Sequence, residues 1–318
     1  MTERRVVKVN GVELSVLDEG TGPLVVLLHG FPEGAYSWRH QIGPLVAAGY
    51  RVVAPDQRGY GDSSHPDSID QYSIMHLVGD IVGLIASTGE KSATVIGHDW
   101  GAMVAWNVAA MRPDIVRGVV GLSVPPVPRG DIPPLRQMLA DYDGRFYVNY
   151  FARVGPVDDE LNRDVSASLR TFFHSLSGDN PINDTARPIL IPAGGGVLDG
   201  HEDRLPGWLS EAELDNFVRQ FEEHGFTGGL NWYRNLNRNW ELTAPFEGAS
   251  FAMPAQYVCG ARDTVKSFHG LMDYVASLAS TEPNFREPVT LPECGHWIQQ
   301  ERPAETTAIL LDFLRSLD

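Results

Sequence analysis

Cysteine is almost missing: Cys259 and Cys294 are the only two in 318 residues. Two thiols are too few for a disulfide scaffold, and too few to bind zinc on their own. Positive charge is scarce as well. Lys and Arg number 25 against 41 Asp and Glu, a formal net charge of −16, so a polyphosphate backbone would be repelled and nucleic acid is not an expected partner. No apolar run reaches membrane-spanning length, and no membrane partner is expected. The stretch from Met1 to Val16 lacks the continuous apolar core of a signal peptide, so the expectation is a reduced, cytoplasmic protein. Repeats and low-complexity tracts are lacking too. What remains is ordinary for a globular chain: 43% hydrophobic and 21% charged residues, with length for one large α/β domain or two smaller units.

One stretch organises the rest. Thr94, Val95 and Ile96 have the β-branched, apolar composition of a strand buried on both faces. Gly97-His98-Asp99-Trp100-Gly101 follows, and Ala102 to Trp106 then opens a helix of strong formers and apolar residues. Small residues on either side let a strand reverse sharply into a helix, lifting the central side chain into a strained, exposed position. The pattern is that of G-x-S-x-G, the nucleophile elbow of α/β-hydrolases, with Asp99 in place of serine. A serine attacking saturated carbon would form an ether that resists water. A carboxylate forms an ester, which water cleaves at the enzyme's own carbonyl. Asp99 therefore points to an electrophilic sp³ carbon, as in an epoxide or an alkyl halide.

The flanking segments predict a doubly wound, mostly parallel sheet. Val6–Val9 and Val12–Leu17 alternate around Asn10-Gly11 as a hairpin. Leu24–Leu28 and Arg51–Ala54 are apolar strands, Ser37–Ala47 and Ile74–Ser87 helices, and Gly118–Leu122 a further strand. The loop from His29 to Gly34 ends one of these strands, and the amides of Phe31 and Trp100 are the expected oxyanion donors. Asp56 to Ser63 only loosely resembles a phosphate cradle, and its charges are expected to pair with one another. At Val124-Pro125-Pro126-Val127-Pro128 the βα rhythm stops, and the chain is helical and aromatic to about Pro245, with an irregular loop from Ser177 to Pro206. This predicts a helical cap, 125–245, inserted in a core made of 1–124 and 246–318. Alternation resumes at Gln256–Cys259, and Thr306–Leu317 has the period of a closing helix.

In this fold the catalytic order is nucleophile, acid, histidine. Asp263 follows one resumed strand, and Glu293-Cys294-Gly295-His296-Trp297 follows the next apolar stretch, Pro288–Leu291. Asp99, Asp263 and His296 thus stand in order, with His296 expected to activate water and Asp263 to fix its tautomer.

The segments His29–Glu33, Ser37–Gln41, Asp56–Gly61, Gly97–Gly101, Asn231–Asn235 and Glu293–Trp297 together resemble the soluble-type epoxide hydrolases of the α/β-hydrolase fold. The resemblance covers nearly the whole chain. It implies hydrolysis of an apolar epoxide to a vicinal diol, without metal or organic cofactor, by a small-molecule enzyme that is a monomer or homodimer. It also implies two cap tyrosines that hydrogen-bond and protonate the epoxide oxygen. Tyr233 matches the second; the first falls within Phe146–Phe151, at Tyr147 or, as the alternative, Tyr150. A phenol suits the task, since ring opening releases an alkoxide, a poor leaving group. Phe31, Pro32, Trp100 and Trp297, beside these motif positions, are the expected walls of the substrate pocket.

Two other functions compete. A haloalkane or haloacid dehalogenase uses the same aspartate ester but needs halide-binding donors. Phe31 stands where many haloalkane dehalogenases have Asn, and Trp100 where fluoroacetate dehalogenases have Arg. A non-catalytic ligand-binding homologue is the other rival, and the complete set Asp99, Asp263 and His296 argues against it.

Overall fold

The computed structural model describes residues 4–180, 190–200 and 204–317. The expected irregular loop from Ser177 to Pro206 lies in part outside them. Asn10 and Gly11, both at positive φ, turn β1 (Arg4–Val9) back antiparallel on β2 (Val12–Glu19). Then come β3 (Leu24–Leu28), α1 (Arg39–Ala47), β4 (Arg51–Pro55), α2 (Ile74–Ser87), β5 (Ala93–His98), α3 (Trp100–Met111) and β6 (Val116–Leu122). Among the described residues seven α-helices follow: α4 (Pro134–Asp141), α5 (Tyr147–Phe151), α6 (Pro156–Asn162), α7 (Val165–Ser175), α8 (Glu211–His224), α9 (Thr227–Arg234) and α10 (Leu236–Leu242). The chain closes with β7 (Ala255–Gly260), α11 (Leu271–Thr281), β8 (Val289–Leu291), α12 (Ile298–Glu301) and α13 (Pro303–Arg315).

The eight strands form one sheet in the order β1-β2-β4-β3-β5-β6-β7-β8. Pairing is antiparallel at β1, β2 and β4 and parallel from β4 through β8. This is the mostly parallel, doubly wound sheet of the α/β-hydrolase fold that the alternation predicts. Strands β3 and β5 are buried at every position, because helices cover both faces. Ile42 and Leu45 of α1 pack with Leu310, Phe313 and Leu314 of α13 on one face. Residues of α2, α3 and α11, such as Ile81, Val104 and Val275, pack on the other. Among the described residues no helix is long and apolar enough to cross a membrane.

The helices α4–α10 meet the carboxyl ends of the strands, and the Asn231–Asn235 segment does much of the joining. Trp232 Nε1 donates to the Arg58 carbonyl at 3.1 Å, and Asn235 Nδ2 to the Ile69 carbonyl at 2.6 Å. Further along, Asn239 Oδ1 accepts the Ile74 amide at 2.7 Å.

One expectation needs correction. The charges of the Asp56–Ser63 loop do not pair with one another. Arg58 makes a bidentate bridge to Asp80 on α2, with Nε–Oδ2 2.8 Å and Nη2–Oδ1 2.7 Å. Asp56 pairs with Arg4 on β1, and Asp62 is exposed. A guanidinium that is 2% exposed requires a fixed planar partner, which the rigid helix supplies and a neighbouring loop carboxylate does not.

Candidate active site

The site begins where β5 stops. Asp99 has φ 52 and ψ −120, a conformation that a residue with a Cβ adopts only under constraint. The constraint is steric. A Cβ on Gly97 would fall on the backbone of Gly101, and one on Gly101 would fall on the Leu28 carbonyl. Only glycine allows α3 to start this close to β3 and β5. The turn presents the Asp99 carboxylate at the carboxyl edge of the sheet, and the Phe31 amide donates to its Oδ1 at 2.9 Å. Among the described residues the Trp100 amide, at the start of α3, makes no hydrogen bond to that carboxylate.

Asp263, after β7, and His296, after β8, are brought to the same point. His296 Nε2 is 3.7 Å from Asp99 Oδ2, and Nδ1 is 3.3 Å from Asp263 Oδ1. Asp263 Oδ1 also accepts the Val265 amide at 3.0 Å. The ring is 5% exposed between two carboxylates. Burial pushes its pKa down, but Asp263 and then Asp99 more than reverse this and raise it to about 9. His296 is therefore an imidazolium at neutral pH. Behind it, His98 Nε2 donates to the His296 carbonyl at 2.8 Å, and His98 Nδ1 lies 2.8 Å from Glu33 Oε2. Glu33 also accepts from Gln299 at 3.1 Å and Gln300 at 2.8 Å. Glu33 is fully buried; burial pushes its carboxyl pKa up, and His98, with the Gly30 amide and His29, outweighs that and holds it low. The loops after β3, β5 and β8 are thus tied together under the reacting groups. Pattern reading singled out none of Glu33, His98 and the two glutamines; for Glu33 and His98 the only signal is their position within His29–Glu33 and Gly97–Gly101, and Gln299 and Gln300, just beyond Glu293–Trp297, carry none.

Above Asp99 a narrow cavity, with free volume of about 40 Å³, has room for one or two waters. Tyr147 on α5 and Tyr233 on α9 border it together with Asp99 and His296. The two rings are 6.3 Å apart, edge to face, and their hydroxyls interact. Burial, followed by the Asp99 charge, pushes both phenols above their ordinary range. They stay protonated donors at any physiological pH. Tyr150 is elsewhere: its hydroxyl donates to Glu160 Oε2 at 2.9 Å, away from the cavity.

Of the four expected wall residues, only Phe31 borders the cavity. Pro32 is buried behind it. Trp100 turns up against α9, its ring 5.1 Å from Tyr233. Trp297 is fully buried, and its indole N–H donates to the Phe173 carbonyl at 3.1 Å. The walls come instead from aromatic residues of α5, α7 and the segment after β7: Phe151, Phe172 and Phe268. Nothing in their sequence context distinguishes wall from core. Among the described residues no group of three or more His, Cys, Asp or Glu is placed to hold a metal ion.

Fold and site define a hydrolase of the α/β type with a carboxylate at the elbow. A family model described as the alpha/beta hydrolase fold matches residues 23–303. The chain is 44% identical to epoxide hydrolase A of Mycobacterium tuberculosis, covering 99% of this chain and 98% of that protein. Among solved structures, epoxide hydrolase A from Mycobacterium thermoresistibile matches with TM-score 0.91 and 45% identity over 100% of this chain and 99% of that one. An epoxide hydrolase from an endophytic Streptomyces matches with TM-score 0.93 and 41% identity, covering 99% and 96%. The chain belongs to the epoxide hydrolases of the α/β-hydrolase fold.

Proposed function

We propose that this chain converts an apolar epoxide to a vicinal diol in two steps, both centred on Asp99. Asp99 attacks a ring carbon through Oδ2, the oxygen not held by the Phe31 amide, while Tyr147 and Tyr233 donate to the oxygen that becomes the alkoxide. The carbon–oxygen bond of the ring breaks, a phenol proton passes to the alkoxide, and a hydroxyalkyl ester remains on Asp99. Ester formation removes the negative charge beside His296. One of the charges raising its pKa is gone, and the imidazolium yields its proton, which restores the phenol that protonated the alkoxide. The neutral ring, held at Nδ1 by Asp263, then takes a proton from water as that water attacks the Asp99 carbonyl carbon. The developing oxyanion is Oδ1, already on the Phe31 amide, and the Trp100 amide joins as the carbonyl becomes tetrahedral. The Cγ–Oδ2 bond then breaks, the diol leaves with the former Oδ2 and a proton from the imidazolium, and the new Asp99 carboxyl returns its remaining water proton to the ring.

The observation that carries this reading is the convergence of a strained carboxylate, a histidine and two phenols on one aromatic-walled cavity. A halide leaving group has no use for two protonated phenols, which favours the epoxide. Residues 125–245 act as the cap that supplies the phenols, a role supported by the bonds from Trp232 and Asn235 to core carbonyls. We further infer a cytoplasmic monomer or homodimer, supported by two buried free thiols and by exposed apolar side chains that are single and scattered. A single turnover with excess enzyme in ¹⁸O-water tests the two-step route. The label is expected on Asp99, by peptide mass, and its appearance only in the diol rules the ester out.

A further inference from the structure

His296 has another close neighbour, one that the order of catalytic residues does not name. Ser123, which follows β6, has its Oγ 2.8 Å from His296 Nδ1. That is nearer than Asp263 Oδ1, at 3.3 Å. Ser123 is fully buried and has φ 70, a left-handed conformation uncommon for a residue other than glycine. Its main chain is tied on both sides: the amide donates to the Val258 carbonyl at 2.9 Å, and the carbonyl accepts the Tyr257 hydroxyl at 2.7 Å. Asp263, by contrast, divides Oδ1 between His296 and the Val265 amide, and its Oδ2 is buried without a hydrogen-bond partner among the described residues. The geometry that aims a side chain at the ring is thus stronger on the serine side.

We propose that Ser123 is a positioning residue, whose hydroxyl accepts Nδ1–H of His296 and, with Asp263, keeps the Nε2 lone pair directed at the water that attacks the Asp99 ester. The inference rests on the reading of His296 as the base. An imidazole uses one nitrogen as donor when the other serves as base, and the tautomer is set by whatever holds the donor. With the hydroxyl removed, Nδ1–H keeps only the longer contact to Asp263. The ring then gains freedom to turn about its Cβ–Cγ bond or to exchange tautomers. Ester hydrolysis depends on that lone pair; ester formation does not. The effect of Ser123 is therefore confined to the second step.

The test uses Ser123→Ala and also Ser123→Gly, which suits the positive φ and guards against misfolding of the first. Single-turnover mixing with styrene oxide, quenched and read by intact-protein mass, gives both rates. Ester hydrolysis is expected to fall about 10- to 100-fold, the range that loss of one charge-assisted hydrogen bond supports. Ester formation keeps its rate, so alkyl-enzyme accumulates. A purely structural role would lower the active fraction or slow both steps alike, and either result overturns the proposal. So does wild-type ester hydrolysis in either folded variant. His296→Gln in the same assay separates the two readings. If it halts ester hydrolysis while Ser123→Ala leaves the step intact, only the serine assignment falls; if His296→Gln hydrolyses its ester normally, the base assignment falls too.

Discussion

Replacing Asp99 by asparagine should turn His296 from an acid into a base at neutral pH without altering its packing. Nε2 is 3.7 Å from Asp99 Oδ2 and Nδ1 is 3.3 Å from Asp263 Oδ1. Burial opposes the charged ring, and Asp263, then Asp99 and Glu33, raise its pKa to about 9 despite that. Two unit charges 3.7 Å apart attract by roughly 4–5 kcal/mol at an effective dielectric of about 20. Partial solvation reduces this, and an opposite charge at that range typically shifts a pKa by about one to three pH units. In Asp99→Asn, His296 should then titrate between about pH 6 and 8. The uncharged amide imitates the esterified carboxyl, so this measures the change that ester formation imposes on the base. An NMR titration of the His296 ring proton, assigned by its loss in His296→Gln, provides the number, with Asp99→Ala as a second neutral variant. A pKa still near 9 in both variants would refute the idea that alkylation releases the base.

Stability carries the same signature. The folded-state pKa lies above the ordinary histidine value, so the contribution of His296 is complete below about pH 6.5 and is lost as pH rises toward 9; chemical denaturation at several pH values should show this loss smaller, and ending at lower pH, in Asp99→Asn. Tyr233→Phe removes one of the two phenols bordering the cavity and should slow ester formation about 10²–10³-fold while sparing ester hydrolysis, as measured by rapid quench. Equal slowing of both steps would assign Tyr233 to packing alone. Asp80→Asn leaves the Arg58 guanidinium buried without its counter-charge and should lower unfolding free energy by about 3–5 kcal/mol in a urea titration. A loss under about 1 kcal/mol would place this bridge with the weak surface pairs.

Local chemistry wrote a good part of this protein directly. The hairpin at Asn10-Gly11, the buried strands Leu24–Leu28 and Ala93–His98, the helix Ile74–Ser87 and the turn at Asp99 follow from residue types at close range. A positive φ, a missing Cβ or a run of β-branched residues acts within a few positions, so it is visible in the letters. The order Asp99, Asp263, His296 was visible for a related reason: each residue stands just beyond a strand, and parallel strands bring their carboxyl ends together.

Which side chains face the cavity was decided elsewhere. Trp100 and Trp297 sit next to Asp99 and His296 in sequence yet do not border the cavity, while Phe151, Phe172 and Phe268 form its walls. Tyr147 and Tyr150 are three residues apart on one short helix, and only the placement of α5 over the strand ends turns the first to the cavity and the second to Glu160. Arg58 found its carboxylate on α2 rather than in its own loop, and Ser123 came within reach of His296 across 173 residues of chain. Alternation and turn chemistry constrain each segment against itself. Direction, partner and charge environment arise only where separately built segments meet, and no single segment encodes that meeting.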